Sequence, residues 1–153
     1  MRLTETVKQW LTEMEWEDEP DLNEENQTSS TGFVYGIEDF SLNCFVDVAE
    51  KSGLVKVYMY YREPNTPEKR ADEVQKFCTE VTNRLVVGAL LFNRERREIL
   101  YYAGMDFENA TFEPAHLTNL LNFGISTMTT YLPKYMAVCF GGKIADEALE
   151  MED

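Results

Sequence analysis

Residues 33–61 have the sequence FVYGIEDFSLNCFVDVAEKSGLVKVYMYY, and their pattern decides the fold class. Apolar and polar side chains alternate with a period of two, which is typical of β-strands that bury one face. The pattern predicts three strands, at residues 33–37, 42–48 and 54–61. Glu38-Asp39 and residues 50–53 supply the turns between them. Connections this short cannot hold a parallel crossover, so we expect an antiparallel meander.

Helical periodicity flanks this meander on both sides. An amphipathic helix is predicted at the N-terminus, and a second helix begins at Thr66-Pro67 and ends near Asn83. Two further strands are predicted at residues 86–92 and 99–105. A long helix follows from about Thr111, with a kink at Pro133 and an end at Gly141-Gly142. The predicted order α-β-β-β-α-β-β-α defines an α+β fold, an antiparallel sheet with helices on one face.

The acidic residues are concentrated at two places in a chain of 153 residues. The formal net charge is −14, of which residues 13–25 contribute −8 and residues 146–153 contribute −5. A single domain fits this length. We divide it into an N-terminal helix (1–15), an acidic linker (16–32), a sheet-and-helix core (33–142) and an acidic tail (143–153).

Composition excludes several classes of partner. Nucleic acid binding needs a basic face, which this acidic chain lacks, so no nucleic acid is expected. No membrane is expected either, because the longest apolar run, Leu85 to Phe92, is far shorter than a membrane span. The N-terminus has no apolar stretch of signal-peptide length, and this predicts a cytoplasmic protein. The cysteines, Cys44, Cys78 and Cys139, are predicted to be buried reduced thiols.

Catalytic and metal-binding motifs are not found in the sequence. The single histidine, His116, lies at the predicted start of the long helix, and no nucleophile motif accompanies it. One histidine and three scattered cysteines do not form a zinc motif. We therefore predict no enzyme activity, no catalytic residue, no cofactor and no metal site. Residues 94–97 hold the compact basic cluster of the chain, interpreted as a solvated hairpin tip or a contact for an anion or acidic partner.

Large aromatic and sulfur-containing side chains in two strands are the strongest sign of a binding surface. We predict that Tyr58, Met59, Tyr60 and Tyr101 contact a partner, because tyrosine and methionine are enriched at protein interfaces. The alternative is a tyrosine-rich but solvated sheet face. Three residues of the long helix are assigned to core or dimer packing: Leu121, Ile125 and Met128.

From Phe33 to Met151 the chain resembles the YbjN-like family of bacterial sensory transduction regulators. The resemblance is carried by residues 77–83, by the hairpin of residues 87–92 and 99–102, and by residues 131–136, 141–142 and 145–149. That family is similar in fold to the type III secretion chaperones, which hold partly unfolded client segments against apolar surface. The resemblance implies a small, acidic, often dimeric α+β protein, and it supplies no catalytic motif.

Two hypotheses of function follow. The first is a non-enzymatic protein-binding module, a chaperone-like protein or adaptor, which forms a homodimer and engages a protein or peptide client through an apolar and aromatic surface. The alternative is a regulator of bacterial sensory signal transduction that binds a small ligand or metal.

Overall fold

The computed structural model of the protein describes residues 1–37 and 40–152. The predicted turn at Glu38-Asp39 lies outside these residues. The helices are α1 (Arg2–Glu13), α2 (Ala71–Thr82), α3 (Pro114–Phe140) and α4 (Ala145–Leu149), and a 3-10 turn at Glu68–Arg70 precedes α2. The strands are β1 (Asp21–Asn23), β2 (Thr28–Ile37), β3 (Phe40–Ala49), β4 (Leu54–Tyr61), β5 (Ala89–Asn93) and β6 (Glu98–Asp106).

The strands form one antiparallel sheet in the order β1-β2-β3-β4-β6-β5, and the helices lie on one of its faces. This confirms the predicted α+β class with helices on one side. The observed order of elements adds a short strand before the meander and a short helix at the end. Within residues 1–37 and 40–152, no helix combines the length and apolarity that a membrane crossing requires.

Alternation along the strands determines which face meets the helices. In β3 and β4 every second residue is buried, and these are Leu42, Cys44, Val46, Val48, Val55, Val57, Met59 and Tyr61. The apolar stripe of α1, with Leu3, Val7 and Trp10, packs into the same core. Since side chains in a strand point alternately to the two faces, the residues between the buried ones lie on the opposite, uncovered face.

The carboxylate of Glu50 holds the N-terminus of α1 against the β3–β4 turn. It accepts hydrogen bonds from the backbone N–H groups of Leu3 (3.2 Å) and Thr4 (2.8 Å). These N–H groups have no partner within the helix, and a carboxylate there also interacts favourably with the helix dipole. The N-terminal helix is therefore joined to the sheet by a contact that links residues far apart in sequence.

The prediction of an acidic linker at residues 16–32 is wrong for most of that range. Trp16 packs edge-to-face on Phe33 of β2, with ring centroids 4.4 Å apart, and β1 and the start of β2 pair between residues 21 and 30. The polar sequence concealed this strand, because its core-facing residues are Ser29 and Thr31 rather than apolar ones. The Ser29 hydroxyl is satisfied by Thr4, with the two oxygen atoms 2.8 Å apart.

The acidic tail is also partly folded. Ala145, Ala148 and Leu149 of α4 are buried, and the Ala145 N–H donates to Glu73 of α2 at 2.9 Å. The acidic side chains of this segment point away from that contact, and Asp146 pairs with Lys76 at 3.3 Å. The predicted tail therefore contains a short helix that packs against α2.

The long helix begins at Pro114, three residues later than predicted, and continues through Pro133 as one helix. A proline at the first helical position is favourable because the N–H it lacks would have had no partner. The predicted end is confirmed, since α3 stops at Phe140 and Gly142 adopts a φ of +69°.

Candidate binding face

The face of the sheet away from the helices carries a cluster of large side chains that no described element covers. We call this cluster the tyrosine face: Phe45 of β3, Tyr58 and Tyr60 of β4, and Leu100 and Tyr102 of β6. Strand register brings these residues together, because Phe45 is opposite Tyr58, Tyr58 is opposite Tyr102, and Tyr60 is opposite Leu100. Val34 of β2 and Leu91 of β5, each nearly half exposed, extend the apolar surface to both sides.

The aromatic rings of the tyrosine face pack on one another along the surface of the sheet. The centroids of Tyr58 and Tyr102 are 5.3 Å apart, and those of Phe45 and Tyr60 are 6.1 Å apart. Glycines provide the space, since a Cβ added to Gly32 would lie 3.1 Å from the Phe45 ring. At Gly104 an added Cβ would lie 3.3 Å from the Tyr102 hydroxyl. Cross-strand aromatic pairs of this kind stabilise a sheet and leave ring surface for a partner.

Charged groups surround a shallow cavity of about 510 Å³ on this face. Tyr58 and Tyr60 line the cavity, with Asp47 on one side and Arg62 and Arg96 on the other. Partial burial, with a smaller contribution from the Asp47 carboxylate, raises the pKa of Tyr58, so its phenol is neutral at physiological pH. The face thus offers neutral aromatic surface bordered by groups of both signs.

The four residues predicted to contact a partner divide between the two faces of the sheet. Tyr58 and Tyr60 belong to the tyrosine face and are half-buried. The prediction is wrong for Met59 and Tyr101, which have no exposed surface and lie in the core. The physical reason is the period of two, since Met59 lies between two outward tyrosines and must therefore point inward.

Met59 and Tyr101 instead form part of the contact between the sheet and α3. A Cβ added to Gly124 of α3 would lie 2.7 Å from the Met59 sulfur and 2.8 Å from the Tyr101 ring. The Tyr101 hydroxyl donates to the Val87 carbonyl at 2.8 Å, and burial raises the pKa of this tyrosine to about 12. Of the residues assigned to core or dimer packing, Leu121 and Met128 are buried and Ile125 is half-buried against the core.

Sequence reasoning missed Phe45, Leu100 and Tyr102. A strict period of two separates Tyr58 and Tyr60 from Met59 within β4, but it does not show that Phe45 of β3 shares their face, which follows from the observed pairing of Phe45 with Tyr58. The choice of Tyr102 over Tyr101 likewise follows from the observed pairing of Tyr102 with Tyr58. The sequence shows the alternation within each strand, but it does not show the pairing register that places residues of different strands on the same face.

The two edges of the sheet differ in their accessibility. β1 pairs only with residues 28–30, so the outer edge of residues 31–37 in β2 has no strand partner among the described residues. At the other edge, the Thr82 hydroxyl of α2 donates to the Leu90 carbonyl and accepts from the Leu90 N–H, both at 2.9 Å. An unpaired edge is a template for another strand, whereas a capped edge is blocked.

The other side chains considered above as possible binding, catalytic or metal-binding groups take part in structural contacts or are buried. Arg94 of the basic cluster forms an ion pair with Asp72 at 2.7 Å. His116 accepts a hydrogen bond from the backbone N–H of Glu113 at its Nδ1 atom, at the start of α3. The three cysteines are buried free thiols, and burial raises the pKa values of Cys44 and Cys78 to about 12. In the described part of the chain, no three metal-ligating side chains are grouped to hold an ion.

With this geometry established, comparison with solved structures reveals a likeness in fold. The chain is similar to a chain in the crystal structure of the ExsC–ExsE complex, with a TM-score of 0.52 and 8% sequence identity. The match covers 86% of this chain and 94% of that one. No protein-family model and no curated protein matches the sequence.

At this level of identity the likeness concerns the fold alone. The chain has an α+β fold like that of the matched chain in the ExsC–ExsE complex. Membership of the YbjN-like family stays a prediction, because no family model supports it.

Proposed function

We propose that this chain is a non-enzymatic, chaperone-like protein that binds an extended segment of another polypeptide across the tyrosine face. The observation that carries the proposal is an uncovered, aromatic sheet face next to the unpaired edge of β2. The proposal includes a homodimer, a cytoplasmic location and membership of the YbjN-like family. The similarity in fold to a chain of a two-protein complex supports it.

The chemistry of the face favours an apolar client segment in extended conformation. An extended segment that pairs with the β2 edge at one end would then cross the sheet past Val34 and Phe45 and reach Tyr58 and Tyr60 of β4. Tyrosine rings contribute large contact area at low cost in side-chain entropy. Arg62 and Arg96 would favour an acidic residue at one end of the segment.

The test uses an unfolded probe whose binding cannot be explained by attraction between opposite charges. We choose fluorescein-labelled α-lactalbumin, reduced and carboxamidomethylated, because this probe is acidic like the chain itself. Tyr58→Ser and Tyr60→Ser are each expected to weaken binding about five- to tenfold, since an aromatic anchor contributes roughly 1–1.5 kcal/mol at an interface. Fluorescence anisotropy measures the dissociation constants.

The matched control is Tyr131→Ser, which removes a half-buried tyrosine from α3 on the other side of the sheet. It should bind the probe like the unmodified protein. Hydrogen exchange adds a second measurement, in which the amides of residues 31–37 become protected when the probe binds. Equal affinity for all three variants and the unmodified protein would exclude the tyrosine face as the binding surface.

A further inference from the structure

The outer surface of α3 lacks charged side chains in a chain that is otherwise rich in them. Between Glu113 and Lys143 the sequence carries one formal charge, Lys134, and that residue is buried. At the chain average of 27% charged residues, a segment of this length would carry about eight. Surface helices of soluble proteins ordinarily present charged residues to water. Depletion of charge is instead typical of the centre of an interface.

Exposed residues recur every three or four positions along α3 and form one continuous line. We call this line the α3 stripe, and it comprises Asn122, Ser126, Thr129, Pro133, Met136 and Phe140, all exposed. Their spacing places them on one side of the helix, opposite Gly124, which faces the sheet. Phe140 is 57% exposed and Met136 is 37% exposed, and Phe123 beside the stripe is 47% exposed. Met136 and Phe140, one turn apart, therefore expose apolar surface at the C-terminal half of the stripe.

We propose that the α3 stripe is the surface through which two copies of this chain pair as an antiparallel, two-fold dimer. The inference deepens the homodimer part of the proposed function and rests on it, but it does not depend on client binding. Like-charged copies with a net charge of −14 repel each other, so they can approach most easily where no carboxylate lies. The α3 stripe meets this condition.

The order of side-chain sizes along the stripe favours a second copy of the chain as the occupant. The first half has small or polar residues, Asn122, Ser126 and Thr129, and the second half has Pro133, Met136 and Phe140. In an antiparallel pair centred opposite residue 131, each large residue faces a small residue of the partner. A parallel pair would place large against large and small against small. A two-fold contact must be complementary to itself, and the stripe has this property in one orientation only.

The dimer would leave both tyrosine faces accessible. α3 lies on the helix side of the sheet and packs on β4 and β6 through Gly124. Two copies joined by their α3 helices therefore turn their tyrosine faces outward. The stripe from residue 122 to residue 140 is about 27 Å long and one helix wide. Because this contact is small, we expect a dissociation constant in the micromolar range.

Light scattering on a sizing column at 50 μM tests the pairing. The unmodified protein should be a dimer, and Ser126→Glu and Met136→Glu should each be monomeric, because these two positions face each other in the proposed pair. Both residues are exposed, so the variants should keep the circular dichroism spectrum and melting temperature of the parent. The matched control is Thr79→Glu on the exposed side of α2, which should remain a dimer.

Cross-linking with a short bis-maleimide tests the orientation. In the antiparallel pair, Thr129 lies about 6 Å along the axis from its own copy, whereas Phe140 lies about 27 Å from its own copy. Thr129→Cys should therefore cross-link to itself and Phe140→Cys should not. The unmodified protein provides the background, because its own cysteines are buried.

Three results would overturn the inference: a monomeric parent at 50 μM, glutamate variants that remain dimers, or Phe140→Cys that cross-links as readily as Thr129→Cys. The anisotropy assay separates this inference from client binding. A dimeric parent that fails to bind the unfolded probe contradicts only the client-binding proposal. A monomeric parent that binds the probe contradicts only the dimer.

Discussion

At the scale of single residues, Gly124 shows how closely α3 lies against the sheet. Two opposing effects apply to the substitution Gly124→Ala. Alanine in a helix interior is favoured over glycine by about 1 kcal/mol. Against this, the new methyl group would overlap Met59, which is flexible, and the ring of Tyr101, which is held by its hydrogen bond to Val87. Overpacking of a core costs about 1–3 kcal/mol, so the clash should outweigh the gain in propensity.

We therefore expect Gly124→Ala to lower the free energy of unfolding by about 1 kcal/mol, measured by urea denaturation. Gly36→Ala is the matched control, because among the described residues, its two chain neighbours apart, no atom lies within 4 Å of the position its Cβ would occupy, and its φ is not positive. That variant should be as stable as the parent or slightly more stable. A Gly124→Ala protein more stable than the parent would show that α3 moves away from the sheet without cost.

At the scale of elements, the contact between α2 and β5 keeps one edge of the sheet closed. Thr82 alone satisfies the outward N–H and C=O groups of Leu90. Thr82→Val keeps the shape of the side chain but removes both hydrogen bonds. We expect a loss of about 2 kcal/mol in the free energy of unfolding, since each unsatisfied buried backbone group costs about 1–3 kcal/mol and water partly replaces the hydroxyl here.

Thr79→Val, one turn earlier in α2, provides the comparison for this prediction. Its hydroxyl is exposed and donates only to the Gln75 carbonyl of its own helix, so the change should alter stability by less than about 0.5 kcal/mol. Equal stability of the Thr82→Val and Thr79→Val proteins in urea would show that the cap does not stabilise the edge.

At the scale of the whole molecule, the core should make the protein sensitive to alkali. Burial raises the pKa values of Cys44 and Cys78 from 9.0, and that of Tyr101 from 10.0, to about 12. Between pH 9 and pH 12 these groups lose their protons in the unfolded chain but keep them in the folded chain. The free energy of unfolding should therefore be highest below pH 9 and should fall continuously as the pH rises toward 12.

Guanidinium denaturation at pH 7, 9, 10 and 11 checks this prediction, and Cys44→Val gives the comparison. Valine has a similar size but no titrating group, so the decline from pH 9 to 11 should be less steep in the variant. A free energy of unfolding that stays constant up to pH 11 in the parent would contradict the burial of these groups.

Much of the fold could be predicted because its signal is local. The period of two in residues 33–61 and the helical spacing of α1, α2 and α3 depend only on which side chains avoid water. The start of β2 was missed because the core-facing residues Ser29 and Thr31 are polar. Burial of Ser29 depends on a hydroxyl partner, Thr4, that lies far away in sequence. Similarly, α4 folds because α2 and α3 supply the surface on which Leu149 and the two alanines are buried.

The candidate binding face could also be predicted only in part. The sequence by itself determined that tyrosines are concentrated in the strands, that the acidic residues are concentrated near both ends, and that α3 carries almost no charge. Only the tertiary structure decided that Tyr58 and Tyr60 face outward while Met59 and Tyr101 face the core. The reason is physical. Composition and spacing are properties of the chain, but which face of the sheet is buried depends on where the helices pack, and this decides which strand residues point to the core and which point to solvent.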